Sequence, residues 1–315
     1  MNNLLDKLTH YKKKYEIFEL LENLYKSISL SKLKNTKIKT HNLNSYTNLK
    51  SNNIDVVMFH SKVNKPTIIN YKDIDIGFDL NDLNYDEILD ANLNYLLRNN
   101  KVNKIFLFSN ISVDKINNEK LVLIKIDINN DNLMYERVLT MYSFVTSNLF
   151  ENNTCFIDID VFINFEELNI FSSNFDIALT HRTKQTLMPI NEGVILVKKN
   201  GNSNIKEFFR NYMKIYSFIS SSNYVKNFYG SNIYIWRGGQ LSLNLLVYNK
   251  GSIFKDYENI NVNKNQILIL PSFNYNFTPD ALKSYSINYL KKKSIIHYKG
   301  QTLKKTFSNF KSIYY

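Results

Sequence analysis

The chain is 315 residues long, 44% hydrophobic and 14% aromatic, enough apolar material for a sizeable core and too much for a disordered polymer. Its 40 lysines and arginines against 28 acids leave a net charge of +12, which favours anionic partners; no recognition motif accompanies the charge, so nucleic acid is not expected among them. The single cysteine, Cys155, excludes an intrachain disulfide and a cysteine-based metal site, no apolar run reaches the ~18 residues of a membrane span, and the N-terminus lacks the basic-then-apolar order of a secretion signal, so a cytoplasmic protein is expected.

Residues 1–35 carry Leu5, Leu8, Tyr11, Tyr15, Phe18, Leu21, Tyr25 and Ile28 at helical spacing, with Lys12, Lys13 and Lys14 as a basic patch. The plain reading is an amphipathic helix packed on the domain or on a second subunit. The sharper one is a peripheral helix on the inner face of the membrane. Residues 36–53 are polar and read as a linker, which makes 1–53 an N-terminal extension and 54–315 the main domain.

From there strands and helices alternate. Strands are predicted at 55–60, 105–108, 121–126, 154–163, 175–179, 193–197, 267–270 and 294–297. Helices are predicted from the capping pair Asn84 and Glu87 to Asn99, and over 132–149, 205–219 and 240–247. Alternation of this kind predicts an α/β fold: a mostly parallel sheet covered by helices on both faces, with ligands beyond the carboxyl ends of its strands.

Two acids, Asp158 and Asp160, close the apolar run Thr154-Cys155-Phe156-Ile157. On a continuous strand, residues two apart share a face and lie ~6–7 Å from each other. Two neighbouring carboxylates at the end of a buried strand call for a divalent cation, and oxygen ligands suit Mg2+ or Mn2+ and a substrate's phosphates. A second D-x-D, Asp73-Ile74-Asp75, lies in polar sequence and reads as a solvated turn.

In motif order the chain resembles the GT-A nucleotide-sugar glycosyltransferases, in particular the retaining group of glycogenin and bacterial galactosyltransferases, over roughly residues 54–305. The motifs are Arg137 on a helix, the Asp158-Ile159-Asp160 triplet, Asn191-Glu192-Gly193, Gln240-Leu241-Ser242-Leu243-Asn244 at a helix start, and His297-Tyr298-Lys299-Gly300. One departure stands out: Gly239 replaces the acid that precedes Gln240 in the motif.

The resemblance implies a GT-A fold and a metal-dependent transfer of a sugar from a nucleotide-sugar donor, UDP-linked, to a glycan or lipid-linked acceptor in cell-surface polysaccharide synthesis. Mn2+ (or Mg2+) would be held by Asp158, Asp160 and His297; a buried histidine bonded to backbone is the plain alternative for His297. Arg137 would lie under the donor, paired with Asp158 or the diphosphate; a surface ion pair with Glu136 or Asp131 is its plain alternative. Lys299, Lys304 and Gly300 would meet the phosphates, and His60 and Ser61 the nucleobase and ribose. Asn191 and Gln240, as catalytic residues, would hydrogen-bond the donor sugar or face its reacting carbon. Glu192 reads as a base, an acceptor contact or an exposed turn residue, and Asp176, His181 and Arg182 as acceptor-side candidates. The alternatives are a degenerate nucleotide-sugar-binding module, suggested by Gly239, and a nucleotidyltransferase, disfavoured by the absence of a glycine-rich loop after the first strand.

Overall fold

The computed structural model describes residues 53–62, 68–71, 74–77, 85–110, 118–129, 132–182, 189–221, 233–247, 254–280 and 283–299, together with 38, 40, 41 and 43. In chain order these give β1 (Ile54–His60), β2 (Ile68–Tyr71), β3 (Ile74–Gly77), α1 (Tyr85–Arg98), β4 (Val102–Ser109), β5 (Leu121–Lys125), α2 (Leu133–Thr146), β6 (Thr154–Ile157), β7 (Val161–Ile163) and β8 (Ile177–His181). They continue with β9 (Ile190–Val197), α3 (Asn204–Ser221), α4 (Ile233–Leu246), β10 (Glu258–Val262), β11 (Asn265–Pro271), the short α5 (Ser272–Tyr275) and α6 (Ile287–Lys291), and β12 (Ile295–His297).

Eight strands form one sheet in the order β10-β11-β8-β9-β6-β1-β4-β5. The β6-β1-β4-β5 half is parallel throughout, and β8 runs parallel to β11. β9 is antiparallel to both β6 and β8, and β10 is an antiparallel edge strand. The sheet is therefore mixed and mostly parallel, as the alternating pattern predicts.

Both faces are covered, which is why the central strands are apolar runs rather than alternations of apolar and polar residues. Val57, Phe106, Phe108 and Phe156 pack with α2 and α3 on one face. Val56, Met58, Ile105, Leu107, Cys155 and Ile157 pack on the other with Leu89, Leu93 and Leu96 of α1. Cys155 is fully buried and burial pushes its thiol up, in keeping with a core residue rather than a nucleophile.

Several expectations are corrected. The 154–163 run is not one strand. β6 stops at Ile157, residues 158–160 turn, with Val161 N–H donating to Asp158 C=O at 3.1 Å, and β7 leaves the main sheet to pair with β12. Asp158 and Asp160 thus converge through a turn and not through strand alternation. Gln240 lies well inside α4 rather than at a helix start. Asp75 lies in β3, paired antiparallel with β2, where a solvated turn is expected for the triplet; Asp73 lies outside the described residues. β10 has no counterpart among the predicted strands.

The helix expected over 1–35 lies outside the described residues. Of the expected linker 36–53, Leu43 is buried in the α2-side core with Ile38 packed against it, and His41 N–H donates to Ser143 Oγ of α2 at 2.9 Å. Those residues pack on the domain. Among the described residues no helix is long and apolar enough to cross a membrane.

Candidate metal centre

The carboxyl ends of β1 and β6 meet the turn at 158–160, and three chain segments converge there. One ligand atom each from Asp158, Asp160 and His297 lies within 4.8 Å of the others. His297 Nε2 stands 3.1 Å from Asp160 Oδ1 and 3.7 Å from Asp158 Oδ2. His297 ends β12, paired directly with Val161 of β7, so the same strand pair that draws the chain away from the main sheet delivers the imidazole to the acids.

The turn is held from below. Asn92 of α1, a polar residue on an otherwise apolar helix face, donates through Nδ2 to the carbonyls of Ile159 at 3.0 Å and Val161 at 2.8 Å. Asp160 C=O accepts from Tyr298 N–H at 3.0 Å. From the other side Gly193 closes in. A Cβ there would lie 2.5 Å from His297 Cε1 and 2.6 Å from Asp158 Oδ2, so only glycine fits. The register of β9 against β8 shifts between Leu179 and Thr180, so that Glu192 to Val194 bulge; this brings Gly193 and Glu192 to the site.

The hydrogen-bond network fixes the ring of His297. Gly193 N–H must donate, so Asn191 Oδ1, at 3.1 Å, accepts. Asn276 Nδ2 therefore donates to that same oxygen at 2.6 Å and to Thr180 Oγ1 at 2.8 Å. Its Oδ1 is then an acceptor, and it faces His297 Nδ1 at 2.9 Å, which must carry the hydrogen. Nε2 is left as the ring's ligand atom, aimed at both acids. Partners of this kind orient metal-ligating histidines. The two oxygens, the bare imidazole nitrogen and this support fit a divalent cation such as Mn2+ or Mg2+.

Burial raises Asp160 to about 7 despite the nearby cations Lys299 and Arg137. Burial, then Lys299, holds His297 well below the ordinary imidazole range, so the ring is neutral. Lys299 is pushed down to about 8 by burial, with the charge of Arg182 adding to the effect. The site thus gathers three cations, Lys299, Arg182 and Arg137, beside the acids.

Arg137 is buried in α2 and bridges two acids. Its Nε meets Asp158 Oδ1 at 2.8 Å, Nη2 donates to Glu192 C=O at 2.8 Å, and Nη1 is 3.5 Å from Glu192 Oε2. The surface pairing with Glu136 is thereby excluded; Glu136 instead faces His41 at 3.7 Å. Glu192 is buried within β9 rather than exposed in a turn, and accepts from Tyr212 Oη at 3.0 Å. Asn191 Nδ2 donates to Gln240 Oε1 at 3.4 Å, tying α4 to the bulge.

The other candidate residues divide. His60 ends β1, buried against Asp86 of α1 at 3.2 Å, with Ser61 following it. Next to Asp86, Tyr85 is pushed up to about 12 by burial and by Asp160 and Asp158, which places the His60 end of α1 beside the acids. His181 pairs with Asp256 at 2.6 Å, and Arg182 follows it at the site end of β8. Asp176 is at the far end of that strand, bonded to Asn200 and to Gln266 N–H, and is not brought to the site. Gly300 and Lys304 lie outside the described residues. Asn276 and Asn92 escape sequence reasoning. An asparagine on the apolar stripe Ile88, Leu89, Leu93, Leu96 is a readable signal for Asn92; Asn276 has none.

No family model matches the sequence and no curated protein gives a match. Among solved structures the chain is similar to a complex of the galactosyltransferase LgtC with donor and acceptor sugar analogues, at 13% identity and a TM-score of 0.45, covering 78% of this chain and 87% of that one. It is also similar to a glycosyltransferase involved in glycosylation of the major capsid of PBCV-1, at 12% identity and 0.44, covering 81% and 98%. A third is the glycosyltransferase GlyE of Streptococcus pneumoniae TIGR4, at 16% and 0.43, covering 84% and 65%. All three are glycosyltransferases. Likeness at this level concerns chain path and carries nothing about substrate.

Proposed function

We propose that the protein is a metal-dependent glycosyltransferase that moves a sugar from a UDP-linked donor to a glycan or lipid-linked acceptor in the cytoplasm. The observation that supports this best is the convergence of Asp158, Asp160 and His297 at the carboxyl end of the sheet, with the Lys299 and Arg182 cations alongside.

Asp158, Asp160 and His297 would hold Mn2+ (or Mg2+). Bound there, the ion would act as a Lewis acid toward the departing diphosphate. The chain's own residues do the rest. Lys299 and Arg182 neutralise charge on the diphosphate, with Gly300 and Lys304 next in sequence. Arg137 orients the Asp158 carboxylate through its 2.8 Å contact. His60 and Ser61 line the nucleoside end, on the strand order alone. Asn191 and Gln240, already bonded to each other, present amides to the donor sugar.

Calorimetry of UDP binding with and without Mn2+, together with UDP release from a panel of UDP-sugars, tests this. Wild-type protein is expected to bind UDP only with the metal, and Asp160→Ala to lose that binding. A wild-type chain whose UDP affinity ignores Mn2+ would sink the proposal.

A further inference from the structure

The Glu192 carboxylate is enclosed on three sides. Tyr212 of α3 donates to Oε2 at 3.0 Å, Arg137 of α2 stands 3.5 Å away, and the third wall is Gly239 of α4. A Cβ at 239 would overlap Oε2 and lie 3.0 Å from the carboxyl carbon and 3.2 Å from Oε1. The overlap is with the carboxylate and not with backbone. One small volume beside Arg137 can therefore hold an acid from β9 or a side chain from α4, but not both. Gly238 differs, since a Cβ there would meet the Tyr216 ring.

An aspartate at 239 would have its carboxyl carbon one bond, and its oxygens two bonds, beyond that Cβ. With Glu192 shortened, such a carboxylate falls in the volume that the Glu192 carboxylate now fills, facing the same guanidinium. The buried guanidinium has a use for it: Arg137 Nη1 makes no hydrogen bond to any described group and has Glu192 Oε2 as its nearest counter-charge.

We propose that Glu192 and Gly239 form one exchangeable unit, in which the acid facing Arg137 is a positioning group for the Arg137–Asp158 pair and can be supplied from either element. The positioning half rests on the donor-site reading above; the exchange itself does not.

The test is a double-mutant cycle with Glu192→Ala, Gly239→Asp and the double variant, read by thermal unfolding and by Mn2+-dependent UDP binding. Gly239→Asp is expected to lower Tm by several degrees in the wild-type background, where two carboxylates compete, and to raise it in the Glu192→Ala background. Glu192→Ala is expected to weaken UDP·Mn2+ binding ~10-fold or more, in the range of residues that act through a ligand's support, and the double variant to recover most of it. Glu192→Gln keeps the shape and the Tyr212 contact, so it should fold like wild type yet bind UDP·Mn2+ more weakly. Additive Tm changes overturn the exchange. Wild-type affinity in Glu192→Gln overturns the positioning role. A wild-type chain that binds no UDP·Mn2+ but gives a non-additive cycle overturns the donor reading and the positioning role together, and supports the exchange.

Discussion

Replacing Arg137 by methionine removes a buried cation while roughly preserving the volume of its stem. Arg137 is 4% exposed at its side chain, and its partners are unequal: Asp158 is 30% exposed and Glu192 10%. Water can compensate Asp158 in part. Among the described residues the Glu192 carboxylate keeps the hydrogen bond from Tyr212 and the charge of Lys299, and its own carbonyl loses the 2.8 Å bond from Nη2. Breaking a buried pair from one side costs ~3–5 kcal/mol, mostly as uncompensated charge on the group left behind. At just under ~2 °C per kcal/mol for a domain of this size, Tm should fall by ~5–9 °C. The deficit should depend on pH. Burial already raises the carboxyl of Glu192, and without Arg137 it rises further, so the folded variant takes up a proton as pH falls and recovers part of the loss. Thermal unfolding of wild type and variant at pH 5.5 and 8 measures both effects. A Tm change under ~2 °C at pH 8, or a deficit that does not shrink at pH 5.5, would refute the bridging account.

Asn276→Ala is expected to weaken Mn2+ binding ~10- to 100-fold, because the ring of His297 loses the acceptor that fixes its Nδ1; paramagnetic resonance of free Mn2+ reads this directly, and wild-type affinity would contradict it. Gly193→Ala should leave the sheet intact by circular dichroism but abolish Mn2+-dependent UDP binding, since its methyl must displace His297 or Asp158. Asp160, raised from 3.8 to about 7, contributes to the pH dependence of the metal-free protein. The folded chain binds that proton more tightly than the unfolded chain, so this contribution is fully present below about 4 and is lost as pH climbs through about 7. A divalent cation competes with the same proton. Mn2+ should therefore raise Tm more at pH 7.5 than at pH 6; equal shifts at the two pH values would exclude proton competition at Asp160.

Much of the fold was legible because its cause is local. Short apolar runs with polar flanks, such as Ile105-Phe106-Leu107-Phe108, read as strands buried on both faces, and the stripes on 132–149 and 205–219 as helices against that sheet. The chemistry-bearing residue types at the site were legible too: Asp158, Asp160 and His297 are uncommon in such apolar surroundings. The mechanism that joins the two acids was not. Strand alternation would have kept them on one ribbon, whereas hydrogen bonds from Asn92, far earlier in the chain, stabilise a turn there.

Sequence by itself thus determined most of the segments that become strands and helices, and which acids and imidazole were available, since both follow from side-chain type and spacing along the chain. Tertiary structure alone decided what those groups meet. The β9 bulge, the Asn191–Asn276 relay to His297 and the mutual exclusion of Glu192 and a side chain at 239 all join residues that are not neighbours along the chain. The glycine that reads as a missing acid in one dimension is, in three, the space that a neighbouring strand's acid fills. Such contacts depend on register and close packing, for which no local pattern codes.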